Sequence, residues 1–513
     1  MSIQLVWFKR DLRIRDHLPL VEAGRAGPCL GLYVYEPELL EAEDADAAHL
    51  QFINESLREL RQSLRSLGSE LLLRRGRMPE VLEQLCREVH IAKVWAHEET
   101  HNGLSYQRDR RVRAWLRKRG IPLRELSQYG VIRRLENRDG WSRQWAERMN
   151  QPLHDAPGKL EAPRELSALV GGEIQTDRHF RIHRFPRRSI QQGGEEAGQE
   201  CLKSFLETRG MNYRSDMASP LTGEQGCSRL SPYLSYGNLS MRTVHQSCGA
   251  RMRELRENAG SRGSGQTAYS RPRKPVTSWL RSLSSFRSRL SWHCHFMQKI
   301  EDQPSIEYEN FNRAYDGLRE EEFNEDYFQA WCEGRTGFPM VDACMRALQQ
   351  TGWINFRMRA MLVSFASYQL WLHWRRPSLH LARLFLDYEP GIHYSQVQMQ
   401  SGVTGINTVR IYSPIKQVAD QDPRGEFIRR YLPELLDVPD KHLAEPHLMN
   451  KMEQSFYGCR IGQDYPFPIV DHRSRYQLAR ERIHQHKRLP HVRKASEEVY
   501  WRHGSRKTPF SQR

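Results

Sequence analysis

The first 130 residues alternate between short apolar runs and longer amphipathic stretches. The apolar runs predict five strands, at 3–8, 29–35, 70–73, 93–96 and 122–126. In the stretches between them, apolar residues recur every three to four positions, which predicts helices at 47–67, 78–89 and 106–118. Strands that alternate with helices are typical of an open parallel sheet. We therefore expect a Rossmann-like α/β domain over residues 1–130.

A basic cluster, KRDLR at 9–13, follows the first predicted strand directly. Sheets of this kind bind ligands at the carboxyl ends of their strands, so the cluster could bind one, but it could equally be a solvated turn. No GxGxxG motif follows the strand, so a nicotinamide site of the usual kind is not indicated.

Regular periodicity fades over 131–194, where four prolines interrupt a run of mixed charge, and we interpret this segment as a long surface linker. The pattern over 195–480 is helical almost throughout and predicts an all-α domain. Within it, 258–277 is rich in Gly, Ser, Arg and Pro and is expected to be a basic surface loop. Residues 481–513 are rich in Arg, Lys and His and are predicted to be a basic C-terminal tail.

Residues 331–359 combine a turn, an amphipathic helix and a second helical run, predicted to begin at Trp353, which carries two arginines among apolar residues. Arg357 and Arg359 are two positions apart on a helix and point in different directions, so they need separate partners. Each must be paired, because an arginine cannot lose its charge. A salt bridge between helices would satisfy this need, and so would a buried anionic ligand. Asp387 and Glu389 supply the carboxylates that such a bridge requires.

Two further segments carry groups suited to ligand binding. Tyr213 is followed by CSRLSPYL at 227–234, where hydroxyl residues and an arginine precede a helix. This arrangement suits a phosphate, although an ordinary N-cap has the same appearance. The helical run 279–299 mixes aromatic and basic residues, which would suit stacking on a nucleic-acid base or a half-buried core helix.

The composition narrows the class of protein. The formal charge is +16 over 513 residues, and a balance this basic favours nucleic acid as a partner, although a basic tail on a neutral protein would give the same number. The nine cysteines include no CxxC pair, so no metal site is predicted. No apolar run has the length of a membrane span, and no signal peptide is visible, so we expect a cytoplasmic protein without a membrane partner, and a monomer.

The motifs of the chain, taken in order, resemble those of the photolyase/cryptochrome family. The opening VWFKRDLRIRD resembles the first strand of that family, and SRLSPYL resembles its flavin-phosphate loop. AWCEGRTGFPMVDACMRAL and TGWINFRMR resemble its most specific motif. Further similarity lies in LDYEPG, RIYSPIKQ, GEFIRRYLPEL and YPFPIVDH, so the resemblance extends from Ser2 to about Arg480.

The resemblance implies an α/β antenna domain and a helical domain that binds FAD in a folded form. An antenna chromophore is possible but unidentified, and the pattern for a folate is not matched at 101–109. Arg359 and Asp387 would form an ion pair against the isoalloxazine ring, where a positive charge stabilises the anionic reduced flavin. The cofactor-binding residues implied by position are Tyr213, Cys227, Ser228, Arg229, Leu230, Ser231, Arg359, Asp387 and Glu389.

The resemblance also implies a cavity that receives a base flipped out of DNA. The implied lining residues are Arg289, Trp292, His293, Phe356, Arg357 and Gln417. The family usually has glutamate at the position of Arg289 and asparagine at that of Phe356. By the same resemblance, His393 occupies the position that faces flavin N5. Trp374 occupies the position of the middle tryptophan in the electron-transfer chain of the family. Val397 replaces the tryptophan of that chain nearest the flavin.

The implied function is light-driven repair of pyrimidine photoproducts in DNA by electron transfer from reduced FAD, that is, a deoxyribodipyrimidine photolyase. A cryptochrome-type photoreceptor that signals through the flavin redox state is the alternative. A flavoprotein that binds nucleic acid without photochemistry is a third reading, because of Val397.

Overall fold

The computed structural model describes residues 2–163, 169, 171–261 and 274–504. Its N-terminal part contains one sheet of five parallel strands in the order β3-β2-β1-β4-β5. The strands are β1 Ser2–Trp7, β2 Cys29–Tyr35, β3 Leu71–Arg75, β4 His90–His97 and β5 Leu123–Leu126. All five predicted strands are therefore confirmed, with ends that differ by at most three residues, as is the open, Rossmann-like sheet.

Helices cover both faces of this sheet, as the nearly continuous apolar strands require. Val6 of β1 packs with Leu57 of the helix α3 on one face. Leu5 of β1 points to the opposite face, where it packs with Leu82 of α4 and Val112 of α5. The helices of this part are α1 Leu18–Ala26, α2 Pro37–Leu40, α3 Ala47–Ser66, α4 Met78–Glu88 and α5 Gly103–Lys118.

The segment 131–194, interpreted from sequence as a linker, runs along both domains. Its described part contains the helix α6, Trp141–Met149, which sequence reasoning did not identify and whose Trp145 is buried against the helical domain. Leu160 N donates to Leu67 O at 2.7 Å in the α/β domain, and Arg188 N donates to Gln350 O at 3.1 Å in the helical domain. The segment therefore ties the two domains together.

The remainder is mostly helical, as expected. Its helices are α7 Glu195–Glu207, α8 Tyr213–Asp216, α9 Pro220–Gly226, α10 Ser231–Ser235, α11 Met241–Ser261, α12 Lys274–Asp302, α13 Glu325–Glu333, α14 Pro339–Thr351, α15 Phe356–Ser364, α16 Arg375–Leu384, α17 Pro390–Ser401, α18 Pro414–Gln421, α19 Glu426–Tyr431, α20 Asp440–Leu443, α21 Lys451–Phe456, α22 His472–Arg488 and α23 Pro490–His503. The largest apolar cluster is centred on α14, α15 and α16.

The second helical run of the central stretch begins at Phe356, so the prediction that it begins at Trp353 is wrong. Helix α14 ends at Thr351 and is capped by Gly352, which has a φ of +72° that glycine adopts without strain. The Thr351 hydroxyl accepts a hydrogen bond from Trp353 N, and Asn355 is extended at the N-cap of α15. Four residues, 352–355, thus form the turn between the helices.

Two expectations for basic segments need correction. The predicted loop 258–277 is helical at both ends, through Ser261 and from Lys274, and its middle lies outside the described residues. The predicted tail from 481 forms the end of α22 and all of α23, and only 505–513 lie outside the described residues. Ile483, Val492 and Tyr500 are buried against the body, because apolar residues at helical spacing interrupt the basic sequence.

No helix of the described part combines enough length with enough apolar character to span a bilayer.

Candidate cofactor and DNA site

A cavity of about 1460 Å³ opens into the helical domain between α10, α12, α15, α17 and the C-terminal helices. It brings together thirteen of the predicted site residues: Tyr213, Cys227, Ser228, Arg229, Ser231, Arg289, Trp292, His293, Phe356, Arg359, Asp387, Glu389 and His393. Segments that lie far apart in sequence therefore converge on one site.

Four predicted site residues do not line this cavity: Leu230, Arg357, Trp374 and Gln417. Leu230 and Trp374 are buried in the apolar packing behind the wall. Arg357 is two positions from Arg359 on α15 and points elsewhere, as helical geometry requires. Gln417 is buried on α18. The structure thus assigns the two arginines of α15 to different surroundings.

Arg359 and Asp387 form an ion pair at the cavity wall. The guanidinium donates through Nη1 to Oδ1 at 2.9 Å and through Nη2 to Oδ2 at 3.0 Å, while Nε donates to Ile354 O at 2.8 Å. Burial by itself would raise the pKa of Asp387, but the charge and hydrogen bonds of Arg359 outweigh it, and the pKa lies below its usual value. Such a two-point pair fixes the guanidinium plane.

Glu389 lies two residues further on, at the N-cap of α17. Burial raises the pKa of its carboxyl to about 7, although the charge of Arg10 acts in the opposite direction. Its Oε1 has no hydrogen-bond partner among the described residues. A buried polar atom left without a partner is costly.

Two histidines at the cavity are neutral. Burial lowers the pKa of both His293 and His393 to about 4. His393 Nε2 lies 2.8 Å from Ser378 O, which can only accept, so Nε2 carries the proton and Nδ1 is left as an acceptor. His293 Nδ1 has no partner within the described part of the chain.

Arg229 lies beside the indole of Trp353, with its guanidinium carbon 4.1 Å from the ring centroid. Both residues line the cavity. Arg229 has a φ of +60°, an uncommon conformation that changes the direction of the backbone just before α10. Burial lowers the pKa of this guanidinium below its ordinary value. A partly desolvated guanidinium next to the hydroxyl groups of Ser228 and Ser231 suits a phosphate.

Two aromatic side chains stand half-exposed at the cavity. Trp292 on α12 is 48% exposed, and Phe356 at the start of α15 is 45% exposed. Large apolar side chains left open to solvent beside a cavity indicate a binding surface. Their π faces are available to a base that enters the cavity.

The charge lining the cavity is strongly positive within the described residues. Seven cationic side chains face two carboxylates: Arg229, Arg289, Arg359, Arg410, Lys487, Arg488 and Arg493 against Asp387 and Glu389. Sequence reasoning missed the three from α22 and α23, because it treated that segment as a tail. The signal that could have found them is the spacing of apolar residues across 483–500.

The basic cluster at 9–13 is not a solvated turn, because its side chains bind other parts of the protein. Arg10 donates to Ser235 O at 2.8 Å and to Tyr388 O at 3.1 Å, so it joins the two domains. Lys9 pairs with Asp109, and Asp11 accepts from His17. The space that remains beside the cluster is about 10 Å³, room for about one water molecule.

The chain is similar to known proteins over most of its length. It matches the family described as "FAD binding domain of DNA photolyase" over residues 286–485 and the one described as "DNA photolyase" over residues 4–134. It is 30% identical to cryptochrome DASH of Gloeobacter violaceus, over 91% of this chain and 93% of that protein. It is 28% identical to deoxyribodipyrimidine photo-lyase of Alkalihalophilus pseudofirmus, over 92% of this chain and 95% of that protein.

Solved structures share the fold. A class III photolyase from Agrobacterium tumefaciens superposes with a TM-score of 0.79 at 24% identity, covering 95% of this chain and 98% of that one. A cryptochrome of Synechocystis sp. gives the same TM-score and identity, covering 94% of this chain and 99% of that one.

An α/β domain joined to a helical domain with a deep, cation-rich cavity defines a two-domain flavoprotein. The chain belongs to the photolyase/cryptochrome family. Its helical part is the FAD-binding domain, and the residues present fit that cofactor. The cavity is large, and the paired guanidinium of Arg359 lines it together with Ser228 and Ser231. Glu389 and His293 also line it, and each has a buried polar side-chain atom without a partner among the described residues.

Proposed function

We propose that this protein is a DNA photolyase that splits pyrimidine photoproducts. The observation that carries the proposal is one cavity in which the Arg359–Asp387 pair, neutral His393, two half-exposed aromatic rings and an excess of cations occur together. When bound and reduced, FAD supplies an electron under blue light, the bonds that join the two bases break, and the electron returns.

Each group of the chain has a role in this proposal. Arg359 stabilises negative charge at the flavin ring, and Asp387 keeps the guanidinium in place. His393 is neutral and offers Nδ1 as an acceptor to a flavin N–H. Trp292 and Phe356 stack on the flipped bases, while Arg289 and the cations of α22 and α23 bind DNA phosphates.

Arg289 carries positive charge where the family resemblance implies a glutamate. It is exposed at the cavity, so it has the freedom to reach a phosphate of the damaged strand. Such a phosphate contact could form with DNA that carries either a cyclobutane dimer or a (6-4) product. A repair assay on each lesion distinguishes a cyclobutane dimer from a (6-4) product as the substrate.

The test is a repair assay on oligonucleotides that carry one defined lesion, either a cyclobutane dimer or a (6-4) product. The flavin is chemically reduced beforehand, so that repair does not depend on photoreduction. We expect intact pyrimidines to appear under blue light and not in the dark. Failure to repair either lesion, with reduced FAD bound and blue light supplied, would contradict the proposal.

A cryptochrome-type photoreceptor is the second candidate, and the 30% identity to a protein named cryptochrome DASH favours it. In that case light would alter the C-terminal helices, which line the cavity through Lys487 and Arg493. The expected signal is a light-dependent change in proteolysis after Arg480, without repair. An unchanged digestion pattern argues against a photoreceptor.

A further inference from the structure

Tyr388 lies at the cavity wall, yet its hydroxyl is committed to the other domain. The phenol donates to Oδ2 of Asp44 at 2.7 Å, and Asn102 Nδ2 donates to the same oxygen at 3.1 Å. Asp44 and Asn102 both belong to the α/β domain, and all three side chains are buried. A cavity-lining phenol thus has a carboxylate in direct proton-transfer reach.

Aromatic rings continue from Tyr388 away from the cavity. The ring centroids of Tyr388 and Tyr394 are 6.4 Å apart, and their hydroxyl oxygens are 3.2 Å apart. The ring of Trp374 lies 6.2 Å from that of Tyr394, and His373 lies 5.4 Å beyond. The imidazole of His373 is partly exposed, so the row leads from the cavity wall to the surface.

Val397 lines the cavity on α17, where it offers no group that loses an electron readily. Tyr388 and the row behind it supply the redox-active side chains that this position lacks. Burial raises the pKa of the Tyr388 phenol well above its ordinary value, so it enters any reaction protonated.

We propose that Tyr388 donates one electron during photoreduction of the flavin and that Asp44 accepts the phenol proton until Tyr388 is reduced again. The inference rests on the proposed function, since it concerns how light prepares the reduced flavin. Tyr388 is in this sense a further catalytic residue, and Asp44 positions it and receives its proton.

Tyr388 loses one electron to the oxidised flavin excited by blue light, and the O–H bond of the phenol breaks as its proton moves to Oδ2 of Asp44. The proton must leave, because a phenol cation in a buried, weakly polar site is far costlier than a neutral radical beside a neutral acid. A thiol in solution then supplies an electron at the outer end, which passes through Trp374 and Tyr394 to Tyr388. The proton returns from Asp44 to the phenol.

The experiment uses the holoprotein with oxidised FAD, without oxygen and with dithiothreitol as the thiol. Transient absorption and electron paramagnetic resonance after a blue flash are expected to show a neutral tyrosyl radical. Tyr388→Phe is expected to lose that signal. Asp44→Asn is expected to slow radical formation by roughly 100-fold and to change its rate ratio between H₂O and D₂O. Trp374→Phe is expected to lengthen the lifetime of the tyrosyl radical, because the electron from the thiol can no longer reach Tyr388 through Trp374.

Tyr315→Phe is the matched control, since Tyr315 is equally buried, lies away from the cavity, and its hydroxyl has no partner among the described residues. It is expected to behave like the wild type. Should Tyr388→Phe fail to hold FAD, a fluorinated tyrosine at position 388 keeps the hydroxyl and adds fluorine splitting to the radical spectrum.

A radical that persists unchanged in Tyr388→Phe, or a spectrum without fluorine splitting, would overturn the inference. The two proposals fail separately. Wild-type repair with chemically reduced flavin tests the proposed function alone. Repair without any tyrosyl radical would overturn only this inference, and a radical without repair would overturn only the photolyase assignment.

Discussion

Arg359 and Asp387, 28 residues apart in sequence, meet through two parallel hydrogen bonds of 2.9 and 3.0 Å. Asp387 is nearly inaccessible to solvent, and Arg359 also lies over the ring of Phe385, 4.2 Å from its centroid. The planar guanidinium is therefore held on three sides. A lysine has a single ammonium group, so it would not reproduce the two parallel hydrogen bonds to Asp387.

Removal of Arg359 is expected to destabilise the apoprotein. In Arg359→Met the buried carboxylate of Asp387 loses its counter-charge, and the free energy of unfolding at pH 7 should fall by roughly 3–5 kcal/mol. Denaturant unfolding measures the change. The double variant Arg359→Met/Asp387→Leu is the control, because it removes both charges and should recover most of the loss. Equal instability of the single and double variants would contradict this account.

The pH dependence of the same pair has a defined sign. The pKa of Asp387 is lowered in the folded protein, so its contribution to stability is present above the unfolded value and is lost as the pH falls through the folded pKa. In Arg359→Met the largest opposing cause is removed, and burial, which raises the pKa of Asp387, is expected to outweigh the remaining hydrogen bonds from Ser231 and the backbone. The single variant should therefore gain stability relative to the wild type on acidification, which unfolding at a series of pH values would measure.

The sequence was sufficient for the open sheet and the helical domain, because apolar periodicity reports burial directly. Charge alone required partners for Arg357 and Arg359 and left Asp387 and Glu389 both open, and the particular Arg359–Asp387 pair was implied by the family resemblance. The sequence was insufficient for Asp44 beside Tyr388, since no local pattern specifies a contact between loops of two domains. It was misleading for α23, where a basic composition masked Val492 and Tyr500 at helical spacing.

Glu389 is expected to make the apoprotein less stable as the pH rises from about 4.5 to about 7. Its folded pKa of about 7 exceeds the unfolded value, so the native state binds more protons in this window. The total loss in the free energy of unfolding across this pH window approaches about 3 kcal/mol, since one pKa unit corresponds to about 1.4 kcal/mol. Glu389→Gln should remove this slope and be more stable than the wild type at pH 8. A slope that survives the substitution would show that another group causes it.

Arg493 on α23 is expected to contact a DNA phosphate. Arg493→Ala should weaken binding of lesion-containing duplex and lower the slope of log K against log salt by about 0.9, the value for one phosphate contact. Lys494→Ala is the matched control, because Lys494 is exposed on the same helix but does not line the cavity. Fluorescence anisotropy over a salt series measures both slopes. Identical slopes for the two variants would show that α23 contributes only diffuse charge.

Trp292 and Phe356 are expected to stack on the extruded bases. Trp292→Ala and Phe356→Ala should each weaken binding of damaged DNA by about 1–3 kcal/mol, roughly 5–150-fold, with little change for undamaged duplex, whose bases stay stacked. Both side chains are half-exposed, so the free energy of unfolding should change little. Phe456→Ala is the control, since Phe456 is 82% exposed and lies outside the cavity lining. Equal losses on damaged and undamaged DNA would show that the two rings contact the duplex rather than a flipped base.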